Sequence, residues 1–502
     1  MDDETDDRPP ASAGRVYRSA ATAVVIAWSL RFIGLFSVLI LARVLTPRDF
    51  GIVALAMSTL ALLDIFSALG LRQALLLIPR PQRSHYDTAW TIQLLVLTVL
   101  AGLLVMLAPL VAWFYDEPVL AVVIAVLASR FIFYGLANIG IVDFDRHLEL
   151  GRDLRMRISV RLATFAVTII AALILRNYWA LVIGAVTQSV FHAAASYIVH
   201  PYRPRFSLMR RAELLGVSLW MFLASAAQTV HFEIERFVVG RIGSMNVLGF
   251  YSVSKDLSSI FTQEIATALN RVTFVTTAQT GRPLSADPIR LSTMLGTYAM
   301  IAAPLGLGLA AAAENAVQVL LGPQWTDAVP YLRLIAPASA FYAVYKLVVS
   351  SLQASGDSRH AAQLALGGTV VMVAAVSVAV VTDGGAIGVA LASLLTCMAL
   401  LVSGTLLLSR KARTSGVGLL FAVGRPFAAA FAMMVVLRSF GGSGIHPVID
   451  LVVEIAVGAA VYAVLIVAIW RVSGRPRGPE ANAVELLRSG ARYLARHMAR
   501  SS

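Results

Sequence analysis

Stretches of about 20 apolar residues, each long enough as an α-helix to cross a ~30 Å hydrocarbon core, recur from Ala20 to Trp470 with short polar breaks. Inside a bilayer no water is available to the backbone, so each crossing must close its own hydrogen bonds, and a helix does so. Fourteen such stretches are read, over 20–43, 50–78, 88–114, 118–140, 158–175, 178–200, 213–241, 247–276, 291–321, 328–353, 360–381, 385–408, 418–440 and 448–470. Of the 502 residues 58% are hydrophobic and 14% charged, against roughly 25% charged in soluble domains. The first stretch follows the acidic "MDDETDD" and no small-residue cleavage site follows it, so it reads as a retained helix and not a cleaved signal.

The formal net charge of +13 would suit a nucleic-acid binder, but its placement suits a topology signal. Alternate loops hold Arg80 and Arg83; Arg146, Arg152, Arg155 and Arg157; Arg203, Arg205, Arg210 and Arg211; Arg282 and Arg290; and Arg410, Lys411 and Arg413. The intervening loops "FYDEP", "TDGGAIG" and "GGSGIHP" carry no Lys or Arg. Both termini are therefore expected in the cytoplasm, and no nucleic-acid partner is expected. Cys397, the single cysteine, has no internal disulfide partner and reads as a small packing residue. The eight histidines lack metal-ligand spacing, so neither a metal nor a cofactor is expected.

One loop occurs twice. A shift of 198 residues lays Ala42, Arg43 and Val44 on Gly240, Arg241 and Ile242, and Phe50, Gly51 and Ile52 on Leu248, Gly249 and Phe250. "WFYDEPVLAVVIAVLAS" and "LLGPQWTDAVPYLRLIAPAS" share a layout of aromatic, acid and Pro beside the start of the next helix. Two parallel six-helix repeats follow, because an even number of helices preserves orientation. The expected organisation is a tail over 1–19, bundles over 20–205 and 206–410, two further helices within 411–472, and a basic tail over 473–502. In that tail Val484, Leu487, Ala491, Leu494 and Met498 share helical spacing while Arg488, Arg492, Arg496 and Arg500 recur on another face. This suits either a helix on an anionic leaflet or a solvated basic tail.

Charges within spans are costly and usually face a cavity or a partner. Arg31, in "AWSLRFIGLF", lies eleven residues inside the first span, about 16 Å at 1.5 Å per residue. Arg130, Lys255, Arg271 and Lys346 complete a set of expected substrate-binding cations, with arginine suited to bidentate phosphate contact. Tyr342 and Tyr345 beside Lys346 offer hydroxyls and ring faces to sugar. Asp64, placed at the middle of the second span, could neutralise Arg31; with Glu235 and Glu264 it is a candidate for a coupling site or an ion pair. Gln228, His231 and Glu235 fall on one face of the seventh span. The alternative is that every cation meets a carboxylate and the cavity is neutral.

No phosphate-binding Gly-x4-Gly-Lys-Ser/Thr loop is present and the outside loops are short, which disfavours ATP hydrolysis and an enzyme generally. Three segments carry a family likeness: "LARVLTPRDFGIVALAMSTLALLDIFSALGLRQALL", "ERFVVGRIGSMNVLGFYSVSKDL" and "LGPQWTDAVPYLRLIAP". They resemble bacterial polysaccharide flippases of the multidrug/oligosaccharidyl-lipid/polysaccharide superfamily. The resemblance implies an all-α polytopic membrane protein whose two six-helix bundles enclose a cavity open alternately to each side, plus two C-terminal helices. It further implies an undecaprenyl-pyrophosphate-linked oligosaccharide as substrate, contact with membrane lipids, polymerase and chain-length proteins as pathway partners, and residence in the bacterial cytoplasmic membrane. Lipid II flippases of that superfamily carry a functional arginine in the first helix, and Arg31 looks like the matching position; Arg271 is a second match. A cation-coupled drug or solute exporter of the same fold is the alternative, and a membrane polymerase or ligase the third reading.

Overall fold

The computed structural model describes residues 33–67, 71–147, 149–214, 219–280, 287–354, 357–440, 446–474 and 478–481. The first half of the chain forms α1 (Ile33–Val44), α2 (Pro47–Asp64), α3 (Leu71–Leu77), α4 (Arg83–Phe114), α5 (Val119–Leu136), α6 (Val142–Arg146), α7 (Leu150–Leu175), α8 (Trp179–Val199) and α9 (Arg211–Leu214). The second forms α10 (Leu219–Ile242), α11 (Met245–Thr280), α12 (Pro288–Ala311), α13 (Ala313–Leu320), α14 (Val329–Ala354), α15 (Ser358–Val381), α16 (Gly385–Lys411), α17 (Gly416–Phe440) and α18 (Pro447–Val472). The protein is all-α and multi-pass. The acidic start and the amphipathic tail lie outside the described residues.

Among the described residues ten helices are long and apolar enough to cross a membrane. Their outward faces are apolar where a soluble protein would be polar: Met106 is 79% exposed, Trp113 74% and Val464 68%. Expected spans one, two, seven and eight correspond to α1, α2, α10 and α11, which are shorter or more charged, so the ten do not by themselves make up the expected fourteen. Two expected spans are broken. Residues 50–78 divide into α2, a 3₁₀ turn at Ile65–Ser67 and α3, which places Asp64 at a helix end and not at mid-span. Residues 291–321 divide at Ala312 into α12 and α13. The sequence stays apolar past each break, so hydropathy does not register the change of direction.

Helix α2 starts where its side chains close the first turn. Thr46 accepts from the Asp49 amide, Asp49 accepts from the Thr46 amide, and Pro47 occupies the first position, where its missing N–H costs nothing. The second carboxylate oxygen of Asp49 accepts from the Tyr178 amide at 2.8 Å, fixing the α7–α8 turn beside the start of α2.

The repeated loop forms a reciprocal seam between the halves at this end of the molecule. A Cβ on Gly51 would stand 1.9 Å from the Met245 carbonyl oxygen, and one on Gly249 would stand 1.9 Å from that of Pro47. Met245 corresponds to Pro47 and Gly249 to Gly51 under the same 198-residue shift, so the contact is self-complementary in the manner of a two-fold interface. The flanking contacts are reciprocal as well. Arg43 of the first half donates to the Val319 carbonyl at 2.6 Å, while Arg241 of the second lies over Phe114 and 3.8 Å from Asp116. Tyr115 donates to the Phe237 carbonyl at 3.2 Å, and the indole of buried Trp325 donates to that of Ala42 at 2.8 Å. Trp325→Phe leaves Gln324 Nε2 on the same carbonyl but removes ring volume from a fully buried site packed against Phe50 and Phe250, so the lost hydrogen bond and the cavity together are expected to cost about 1–3 kcal/mol, read as a drop in the thermal midpoint of purified protein.

At the opposite end charged side chains tie the irregular segments together. Arg72 pairs with Asp145, Arg146 donates to the carbonyls of Leu75, Ile78 and Pro79, and Tyr202 donates to Asp87 at 2.5 Å. Asp143 accepts from Tyr86 at 2.5 Å and lies 3.4 Å from His200 Nε2. Burial pushes its carboxyl upward, but the bonds from His200 and Tyr86 outweigh burial and hold it below the ordinary 3.8. A carboxyl depressed by folding contributes stability that is present above its unfolded value and lost as pH falls through the folded one. Hydrogen exchange over residues 139–147, corrected for intrinsic rates, is therefore expected to speed up below about pH 4 and to lose that dependence in Asp143→Asn.

Candidate functional site

In "HFEIER", residues 231–236 of α10, four polar side chains fall within two turns, and His231, Glu233, Glu235 and Arg236 are each 3–8% exposed. Charges this deep are tolerated only when paired and hydrogen-bonded, and α11 supplies the partners. Lys255 Nζ lies 2.9 Å from Glu235 Oε2, donates to the Phe232 carbonyl at 2.5 Å, and sits 4.2 Å from the Phe232 ring centroid. Glu235 also accepts from Tyr251 at 2.6 Å and from Ser393 of α16 at 2.9 Å. Arg236 lies 3.1 Å from Glu233 and 2.5 Å from Asp256. Ser58 of α2 donates to Glu233 at 2.5 Å, so the network reaches across to the first half. His231 stacks on Tyr342 with centroids 5.1 Å apart.

The expected site residues are thus not one cluster. Lys255 and Glu235 meet as a buried ion pair. Arg130 lies apart on α5, where Nη1 approaches Met57 Sδ at 3.0 Å, the guanidinium lies 5.9 Å from the Tyr134 ring centroid, and Nε is buried without a hydrogen bond. A thioether is a weak acceptor, and no carboxylate pairs with Arg130 among the described residues. Lys346 is exposed on α14, Asp64 is exposed at the end of α2, and each makes contacts of its own. Arg31 lies outside the described residues, as do the side chains of Glu264 and Arg271, whose backbones belong to α11. Sequence reasoning passed over Glu233 and Arg236. Their signal was present as opposite charges three apart within an apolar run, a spacing that brings them to neighbouring positions on one helix face.

The chain is 26% identical to the succinoglycan biosynthesis transport protein ExoT of Rhizobium meliloti (strain 1021) over 470 residues, covering 91% of this chain and 94% of that one. It is 22% identical to the lipopolysaccharide biosynthesis protein WzxC of Escherichia coli (strain K12), covering 68% of this chain and 69% of that one. Among solved structures it resembles the lipid II flippase MurJ in its inward closed conformation, with a TM-score of 0.68 at 13% identity over 89% of this chain and 98% of that one. That likeness establishes the fold. The family described as Polysaccharide biosynthesis protein matches residues 40–330. With more than half of its length matched, this chain belongs to the polysaccharide biosynthesis protein family.

Proposed function

We propose that the protein is a flippase that carries undecaprenyl-pyrophosphate-linked oligosaccharide repeat units across the bacterial cytoplasmic membrane, with both termini in the cytoplasm, for exopolysaccharide, capsule or lipopolysaccharide biosynthesis. It makes and breaks no covalent bond. Relatives named for transport and for polysaccharide biosynthesis support this reading, and within the site one observation carries it. Arg130 sits inside a membrane-spanning helix with a buried, unbonded Nε and no carboxylate, an arrangement that is costly unless an anion completes it.

Arg31, Lys255, Arg271 and Lys346 are the further proposed substrate contacts, and Asp64, Glu235 and Glu264 the proposed coupling or ion-pair residues. The bundles would be residues 20–205 and 206–410, rocking about α2, which packs along both α10 and α11. The reciprocal seam would be the closed outer end. A substrate shifts such an equilibrium only through its different affinity for the two states, so the cations must hold the pyrophosphate without trapping it. Polymerase and chain-length proteins are the proposed receivers of the flipped unit. The test is deletion of the gene followed by lipid extraction. Loss of polymer with accumulation of a lipid-linked oligosaccharide, reversed by the restored gene, is the required result. Loss of polymer with no accumulated intermediate would refute the flippase reading.

A further inference from the structure

Helix α4 is too long to lie wholly within the apolar part of a membrane. Its 32 residues span about 48 Å at 1.5 Å per residue, against a hydrocarbon core of ~30 Å. The exposed indole of Trp113, near its seam end, marks one boundary of that core as interfacial aromatics do. One core thickness back along the axis is about twenty residues, which reaches Gln93. Asp87 to Thr91 therefore stand at headgroup depth on the opposite face, and so does whatever they hold.

They hold the linker between the halves. Asp87 accepts from the Tyr202 hydroxyl at 2.5 Å and from the Arg205 amide at 2.8 Å, Thr91 from the Ser207 amide at 3.0 Å and Thr88 from the Arg210 amide at 3.4 Å. Trp90 meets Phe206 edge to face with centroids 5.1 Å apart. The chain between α8 and α9 is irregular, and irregular backbone is excluded from lipid-exposed hydrocarbon, so these side chains supply the bonds that a helix would have made. Held in this way, the linker turns apolar side chains outward: Phe206 is 73% exposed, Met209 82% and Leu208 43%. Residues 203–211 also contain four arginines and no carboxylate. Arg203 donates to the carbonyls of His200 and Tyr202 and Arg210 pairs with Glu213 at 2.7 Å. The guanidiniums of Arg205 and Arg211 are exposed and make no hydrogen bond or ion pair with any described residue.

We propose that residues 203–211 form a binding surface for anionic phospholipid, with Phe206, Leu208 and Met209 among the upper acyl chains and Arg205 and Arg211 on headgroup phosphates. Apolar side chains beside unpaired arginines are the composition of a segment that lies in the interface, and arginine is drawn to an anionic leaflet within a Debye length of it. An acidic protein would satisfy the arginines, but the depth set by α4 puts the apolar side chains against lipid. Every hold on residues 202–210 named above comes from α4, so lipid bound there anchors the linker to the first bundle where the chain passes to the second. The surface does not depend on what the protein carries.

The test is hydrogen exchange of the full chain in nanodiscs of phosphatidylcholine alone and of phosphatidylcholine mixed with phosphatidylglycerol. Exchange over residues 203–212 is expected to be at least about tenfold slower in the mixed discs, because two cations at an anionic surface hold the linker down, and the difference should shrink at high salt. Arg205→Gln combined with Arg211→Gln should remove the lipid dependence and leave the thermal midpoint in detergent unchanged, since neither guanidinium bonds to a described residue. Phe206→Ser combined with Met209→Ser should speed exchange in both kinds of disc, because acyl-chain contact is indifferent to headgroup charge. Equal exchange of wild-type protein in the two discs would overturn the lipid surface and leave the arginines to an acidic protein. Lipid dependence that survives in the double glutamine variant would overturn the part given to Arg205 and Arg211. Slowing by glycerol 3-phosphate in discs of phosphatidylcholine alone would assign the arginines to a soluble phosphate and overturn the lipid source. The wild-type comparisons stand even where a variant fails to fold.

Discussion

Gly51→Ala and Gly249→Ala are each expected to destabilise the protein by about 1–3 kcal/mol, the range for inserting a methyl where no space exists, and their double variant by clearly less than the sum. Each new Cβ would lie 1.9 Å from a carbonyl oxygen of the opposing helix, Met245 for Gly51 and Pro47 for Gly249. Backbone cannot rotate aside as a side chain can, so α2 and α11 must move apart. One such displacement relieves both clashes, because both lie on the same pair of helices within four residues along the chain. Contacts that share a backbone shift are coupled, hence the shortfall from additivity. The measurement is the unfolding of wild-type, single and double variants in one detergent. Additive losses would show that the two approaches are independent and that the seam is not a single reciprocal contact. Gly102→Ala is the control: a Cβ there meets nothing within 4 Å, so alanine in mid-helix should be neutral or stabilising, by up to about 1 kcal/mol. Transport should follow the same order, because opening the seam is the movement proposed for release on the far side.

The sequence made helix lengths legible because an apolar run has to match the bilayer. The stretch read over 328–353 is observed as Val329–Ala354, and that over 448–470 as Pro447–Val472. It made the repeat legible as a coincidence of Arg43 with Arg241 and Gly51 with Gly249. Their reciprocity was hidden, since no spacing along one chain tells which turn faces which loop across the interface. The breaks after Asp64 and Ala311 were hidden for another reason, as apolar residues follow both. Within the site, Glu235 and Lys255 were visible as charges in consecutive spans, but the rotation of α10 against α11 decides whether they face each other or a cavity.

Lys255→Met is expected to cost about 3–5 kcal/mol, the range for leaving one member of a buried ion pair without the other. Lys255 is 5% exposed and Glu235 3%, so water cannot replace the lost ammonium. Glu235 would keep the Tyr251 and Ser393 hydroxyls, which solvate a carboxylate without neutralising it. Glu235→Gln strands the opposite charge, but less severely, because Lys255 keeps the Phe232 carbonyl and the face of its ring; a cation over an aromatic face retains about 1–2 kcal/mol when desolvated. The order of loss should therefore be Lys255→Met, then Glu235→Gln, then the double variant Glu235→Leu with Lys255→Met. The double change removes both desolvation penalties and exchanges the pair for packed apolar groups, which in other buried pairs is close to neutral. A coupling energy near zero in a cycle closed with the single variant Glu235→Leu would mean that the pair does not brace α10 against α11. Transport lost in both single variants and not regained in the stable double variant would instead identify the pair as part of the conformational cycle: its attraction would then be needed in one state and released in the other, which an apolar replacement cannot reproduce.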